Sequence, residues 1–229
     1  MALVSIALEE KYYKKDPQSS ELGRAIIEGA IELIDELGFE QFTFKKLAHH
    51  IDSTEASIYR YFENKLMLLV YLSAWYWTCM EYSIGIMIHP LKSPEEKLEK
   101  ALELLCIEEQ AVKTFKTMGI EVSKLRKIVF HESDKTYMTK KVDEINSMGL
   151  FKEYKLLCNR ISTIIQEINP AYPYAHSLVS TIMEAAHQQI FFAKHLPSLT
   201  DLRLDDQEPT DQQALIYIRD LVNKVILKP

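Results

Sequence analysis

Residues 41–65 read QFTFKKLAHHIDSTEASIYRYFENK, and the fold turns on how this stretch is read. Thr43 can cap a short helix, Phe44 to Ile51, whose Leu47 and Ala48 face inward. Asp52-Ser53-Thr54 is a tight connection whose side chains can take up backbone N–H groups. A second short helix follows from Glu55 to Tyr61. Its Ile58, with Phe62 beyond it, can pack inward, while Thr54, Ser57, Tyr59 and Arg60 point outward. Two short helices joined by a three-residue turn make a helix-turn-helix, whose second member can enter the major groove of DNA. A groove about 12 Å wide admits one helix if its exposed face carries small or hydrogen-bonding residues. Thr43 and Lys65, at the starts of the flanking helices, suit phosphates on either side.

Upstream, Ile26, Ile27, Ala30, Ile31, Ile34 and Leu37 repeat at helical spacing, from a start at Ser19 or Ser20 to a stop at Gly38. Residues 1–18 form an arm ending at Asp16-Pro17 and lack the basic start and cleavage pattern of a signal peptide. Downstream, Leu66 to Ile88 is an apolar run long enough to cross a bilayer, with Glu81 its only charge. Trp75 and Trp77 fall mid-run, whereas membrane tryptophans gather at interfaces, so the run reads as a buried central helix.

Beyond Pro90, Ser93-Pro94-Glu95-Glu96 opens a helix with Leu98, Leu102, Leu105 and Val112 as its stripe. A short helix from Ile120 to Val129 follows Gly119, and a long stretch from Asp134 to Ile168 breaks near Gly149. Another helix begins near Pro173 and runs to about His195; a last one opens on a cap at Thr210 and runs to Leu227. No strand-period run competes, so the chain is all-α with about nine helices.

Composition agrees. Of 229 residues 47% are hydrophobic, enough for a sizeable core, while 6 glycines and 8 prolines are too few for a sandwich or barrel. The net charge of −6 argues against indiscriminate coating of polyanions, so any nucleic-acid contact is local. Between Ser19 and Leu66 the balance is also acidic, 5 bases against 9 acids. Cys79, Cys106 and Cys158 are odd in number and scattered, as expected of a reducing cytoplasm.

With these residues in view, 24–68 resemble the DNA-binding region of the tetracycline-repressor (TetR) family of transcriptional regulators. The likeness is carried by F-x-x-F-T-F-K-K-L-A and then T-E-A-S-I-Y-R-Y-F-E-N-K, about a fifth of the chain. The resemblance implies an arm (1–18), a helix-turn-helix domain (19–65) and a helical effector-binding and dimerisation domain (66–229). It also implies that Thr43 is a phosphate-contacting cap, that Thr54, Ser57, Tyr59 and Arg60 face the groove, and that Lys65 meets the backbone. Lys45 joins this DNA-binding set. Two positions depart from the family pattern. Asp52-Ser53 stands where Gly and a hydrophobe are usual. Glu55 stands where Lys or Pro is common; there it either repels phosphate or accepts from a cytosine amino group.

In the second half, Trp75, Trp77, Met80, Phe115, Met118, Phe151, Tyr154 and Met183 are candidates to line a cavity for a small apolar effector, with Glu81 and His187 to orient it. Glu184 and His187 share a Glu-x-x-His spacing but lack the second copy a di-metal bundle needs, so neither metal nor cofactor is expected. No nucleophile elbow or phosphate loop supports an enzyme. Apolar faces near 174–195 (Leu178, Ile182, Ala185, Gln189, Ala193) and 210–227 (Leu215, Ile218, Val222, Val225, Ile226) are candidates for a homodimer interface. The function implied is a cytoplasmic homodimeric repressor binding a palindromic operator under effector control. The alternative is a lipid carrier of the same fold with no DNA role.

Overall fold

The computed structural model describes residues 13–107, 122–149, 151–204 and 208–226. All regular structure among them is helical. Eleven α-helices follow in order: α1 Glu21–Leu37, α2 Phe44–His50, α3 Glu55–Tyr59, α4 Lys65–Ile88, α5 Pro94–Cys106, α6 Val122–His131, α7 Ser133–Thr136, α8 Val142–Ser147, α9 Lys152–Ile168, α10 Ala175–His195 and α11 Thr210–Ile226. The stretch from Asp134 to Ile168 is thus three pieces, with Gly149 at φ 73° in the last break, where a side chain would be strained. Val112, Gly119 and Leu227 lie outside the described residues.

The chain divides into two compact units. The first joins the N-terminal part, to Cys79, with residues 115–154; the second joins 80–114 with the rest.

In the first unit Ser20 caps α1, accepting from Gly23 N at 3.2 Å, and Gly38 ends it at φ 76°. Ile26, Ile27, Ala30, Ile31 and Ile34 are buried along one side, as their spacing predicts. α2 closes tightly on α1 because residue 29 is glycine: a Cβ there would lie 2.7 Å from Ile51 Cγ2 and 3.1 Å from Leu47 Cδ1. On another side α6 packs against α1, and Lys127 pairs with Asp35 at 2.5 Å. Asn64 accepts from Met67 N at 3.0 Å at the head of α4. That helix is buried on nearly every side, and its hydroxyls are absorbed locally: Ser73 donates to Leu69 O at 3.0 Å and Thr78 to Ala74 O at 2.7 Å. Among the described residues no helix is long and apolar enough to cross a membrane.

In the second unit α5, α10 and α11 pack together. Ser93 caps α5, and Asn169 donates to Ile226 O at 2.8 Å, holding the end of α11. Thr210 is the first residue of α11 rather than its cap; its hydroxyl turns back to Arg203 O. The apolar stripes read as a subunit interface are largely consumed here. Leu178, Ile182, Ala193, Leu215, Ile218, Val222 and Ile226 are buried within the chain, and Ala185, Gln189 and Val225 are half-buried. A three-helix core needs those faces before a second subunit can have them. Phe191, Ile216 and Tyr217 remain exposed on the same helices.

The described end of the N-terminal arm is ordered against the first unit. Asp16 caps a short turn, Pro17–Ser19, by accepting from Gln18 N at 2.9 Å, and Pro17 is buried against α1. A Cβ at Gly23 would meet Pro17 O at 2.1 Å. Gly23→Ala is therefore expected to cost about 1–3 kcal/mol in urea unfolding and to remove hydrogen-exchange protection from the Lys14 amide. An unchanged midpoint would mean that this packing contributes nothing.

Candidate nucleic-acid interface

The helix-turn-helix is built from two helices too short to persist alone, so their ends and shared core hold them. Thr43 caps α2 from extended backbone, accepting from Lys46 N at 3.2 Å. Thr54 does the same for α3, accepting from Ser57 N at 3.2 Å. Between them, Ser53 N donates to Ala48 O at 2.8 Å and Asp52 N reaches toward His49 O at 3.4 Å. Those two bonds end α2 in the manner that places a left-handed residue just past the helix, usually glycine. Asp52 takes that place at φ 48°. The departure from the family pattern therefore keeps the geometry, since aspartate tolerates this region better than most residues.

Phe42, Phe44, Leu47, Ala48, Ile58 and Phe62 are buried together with Tyr61, and among them Leu47, Ala48, Ile58 and Phe62 face inward as the sequence predicts. Phe44 meets Phe42 and Tyr59 edge to face, at centroid distances of 6.3 and 5.0 Å. Tyr59 is nevertheless 46% exposed, so its ring leans on the core and still reaches the surface. Thr54, Glu55 and Arg60 are exposed beside it and Ser57 is half-buried. Thr54 Oγ1 lies 3.0 Å from Ser57 Oγ, which accepts from Arg60 at 3.3 Å, so hydroxyls and guanidinium form one polar row on the outer face of α3. Thr43 and Lys45 are exposed on α2.

Lys65 is placed otherwise than a simple phosphate contact suggests. Its Nζ donates to the carbonyl oxygens of Phe39 (2.9 Å), Glu40 (3.2 Å) and Phe42 (3.2 Å), and lies 4.6 Å from the centre of the Phe39 ring. From the other side Glu132 accepts from Phe39 N at 3.2 Å and is itself paired with Lys135 at 2.6 Å. The turn before α2 is clasped between the head of α4 and the end of α6. Nothing in the sequence marks Glu132 for this, because the contact joins distant segments through a backbone N–H. The acids of α1 are partly spent in similar ties, Asp35 with Lys127 and Glu32 with His50 at 2.8 Å.

The effector candidates do not form one described group. In the first unit, Trp75 is half-buried near Tyr71, and Trp77 meets Tyr154 at 4.6 Å and Phe130 at 5.6 Å. Phe151 joins through Tyr137, which stacks on Tyr154 at 5.8 Å. In the second unit, Met80 and Met183 are buried, Glu81 is paired with Arg160, and His187 is half-buried on α10. Phe115 and Met118 lie outside the described residues. Phe130, Tyr137 and Arg160 were not singled out by spacing; each acquires its neighbours only through packing. Burial pushes the Cys79 thiol up to about 12 and, with the Glu184 charge adding to it, the Cys158 thiol up to about 11, so both stay protonated at neutral pH.

A capped helix pair with a polar outer row, seated on a third helix, defines the helix-turn-helix class of DNA-binding proteins. Residues 26–72 match the model for bacterial regulatory proteins of the tetR family. Over most of its length the chain is similar in fold to several solved structures, among them three. They are a TetR-family transcriptional regulator, PfmR, from Thermus thermophilus (15% identity, 87% of this chain and 97% of that one, TM-score 0.57); Thermus thermophilus FadR, a TetR-family repressor, in complex with lauroyl-CoA (15%, 90% and 95%, 0.53); and AibR in complex with isovaleryl coenzyme A and operator DNA (16%, 89% and 97%, 0.53). No curated protein sequence matches the chain.

Three substitutions test this account of the module. Asp52→Gly is expected to hold or raise the thermal midpoint, whereas Asp52→Val should lower stability by about 1–2 kcal/mol, because a β-branched residue resists positive φ. Lys65→Ala should cost about 1–2 kcal/mol in the DNA-free protein, read by urea unfolding. A Lys65 acting on phosphate alone would leave that value unmoved.

Proposed function

We propose that the protein is a ligand-responsive transcriptional regulator, a repressor, which binds a palindromic operator as a homodimer in the cytoplasm. The observation that carries this reading is the outer face of α3. Thr54, Glu55, Ser57, Tyr59 and Arg60 offer hydroxyls, a carboxylate and a guanidinium on a helix anchored by Ile58. Such groups can read base edges, while Thr43 and Lys45 suit the adjoining phosphates. Glu55 is the base-reading candidate for a cytosine amino group.

Two such helices about 34–36 Å apart would enter successive major grooves. The exposed apolar residues of α10 and α11, among them Phe191, Ile216 and Tyr217, support a pairing of subunits through those helices. Trp75, Trp77, Phe151 and Tyr154 in the first unit, and Met80, Glu81, Met183 and His187 in the second, are two separate groups of candidates for meeting an effector. The two similar proteins seen with isovaleryl coenzyme A and lauroyl-CoA support an effector with an apolar acyl part.

Control would work by linkage. An effector that prefers one setting of α4 or α6 also sets the turn at residues 39–42, which Lys65 and Glu132 hold. By reciprocity it weakens DNA binding by the factor by which DNA weakens its own binding, typically about 5–150-fold for a coupling of roughly 1–3 kcal/mol.

The test is selection of duplexes from a random library by the full-length protein at low salt, with mass spectrometry of co-purifying molecules. An enriched palindrome is expected, with Arg60→Ala binding it about tenfold or more weakly and Tyr59→Phe shifting its base preference, both at unchanged thermal midpoint. Bound lipid without any duplex preference would instead select the carrier.

A further inference from the structure

We propose that Lys14 and Lys15, in the arm before α1, extend the surface of α3 and contact phosphates of the duplex beside the recognition helix. This rests on the reading of the module as DNA-binding.

The arm is fastened to the end of α3 by groups other than its charges. Lys14 N donates to Tyr61 O at 2.7 Å, which lays the backbone of residue 14 directly beside the residue that follows Arg60. Tyr13 meets Tyr71 edge to face at 6.1 Å, Gln18 donates to the Tyr71 hydroxyl at 3.1 Å, and Pro17 is buried. The Tyr61 hydroxyl lies 2.8 Å from Ser20 Oγ. Both lysines are exposed, and Lys15 Nζ sits 5.1 Å from the centre of the Tyr61 ring. The Ser20 hydrogen bond, then Lys15 and Arg60, hold the Tyr61 hydroxyl below its ordinary range, placing both cations within electrostatic reach of one oxygen. Asp16, the acid of this segment, is turned to Gln18 N in its cap.

The module needs such cations. Of its five bases, Lys65 serves the turn at 39–42, Lys46 donates to Gln41 O at 2.9 Å, and Arg24 donates to Gln18 O at 2.9 Å. Lys45 and Arg60 are the others, set against nine acids between Ser19 and Leu66. A surface so acidic gains little from counterion release unless lysines come from outside it. An arm with a fixed backbone at residue 14 and two exposed lysines supplies them at one end of α3. Phosphate contacts of this kind add affinity and position without adding sequence information.

The experiment compares full-length wild type, Lys14→Ala/Lys15→Ala and Lys14→Arg/Lys15→Arg by fluorescence polarisation. The probes are the best-selected duplex and a random duplex, each across a salt series. The alanine pair should bind both more weakly, with the slope of log K against log salt reduced by about 0.9 for each phosphate no longer neutralised. The preference between the two duplexes should persist, and the arginine pair should match wild type. Lys14→Ala alone keeps the backbone bond to Tyr61, so it gives the same reading should the pair lower the thermal midpoint. An unchanged slope in the alanine variants, with wild type binding normally, overturns this proposal and leaves the regulator standing. Failure of wild type to bind any duplex overturns both.

Discussion

Close approach of α2 to α1 is the constraint on which the rest depends. Helices of seven and five residues cannot hold themselves, because the nucleus of a helix costs more than a single turn returns. They exist here because Gly29 lets Ile51 and Leu47 come within contact of the α1 backbone, and because Phe42, Phe44, Ile58 and Phe62 share one small core. The caps at Thr43 and Thr54, and the left-handed Asp52 between them, then fix the angle at which α3 leaves α2. The polar row from Thr54 to Arg60 is a consequence of that angle.

The first compact unit is larger than a helix-turn-helix needs to be. Residues 122–154 belong to it, and α6 ties itself to α1 and to the following turn through Lys127, Glu132 and Lys135. Moving either jaw of the clasp on the turn at residues 39–42 would move the helix that follows. The same unit gathers Trp77, Phe130, Tyr137, Phe151 and Tyr154, so aromatic packing and the clasp share α6 and its flanks.

Charge is distributed to suit local contact with a polyanion. The exposed acids of α1 and the net charge of −6 oppose general adhesion to nucleic acid. Lys14, Lys15, Lys45 and Arg60, all exposed residues, lie on the arm, α2 and the end of α3. The salt dependence of binding grows with the number of phosphates neutralised, so few such contacts give a shallow one.

The sequence by itself determined the all-α class, the helix-turn-helix and most helix starts, because caps, glycine stops and apolar periodicity act over a few residues. Ser20, Thr43, Thr54 and Ser93 each cap the helix that follows them, and Ile58 and Phe62 are buried at the spacing read for them. Local signals could not say which of two apolar surfaces meets a stripe, so the faces of α10 and α11 read as a subunit interface turned out to be core. Nor could they reveal that the Lys65 ammonium donates to three carbonyls, or that Glu132 and the Lys14 amide find partners far along the chain. Such pairings depend on which segments arrive together in space, and only the tertiary structure decides that.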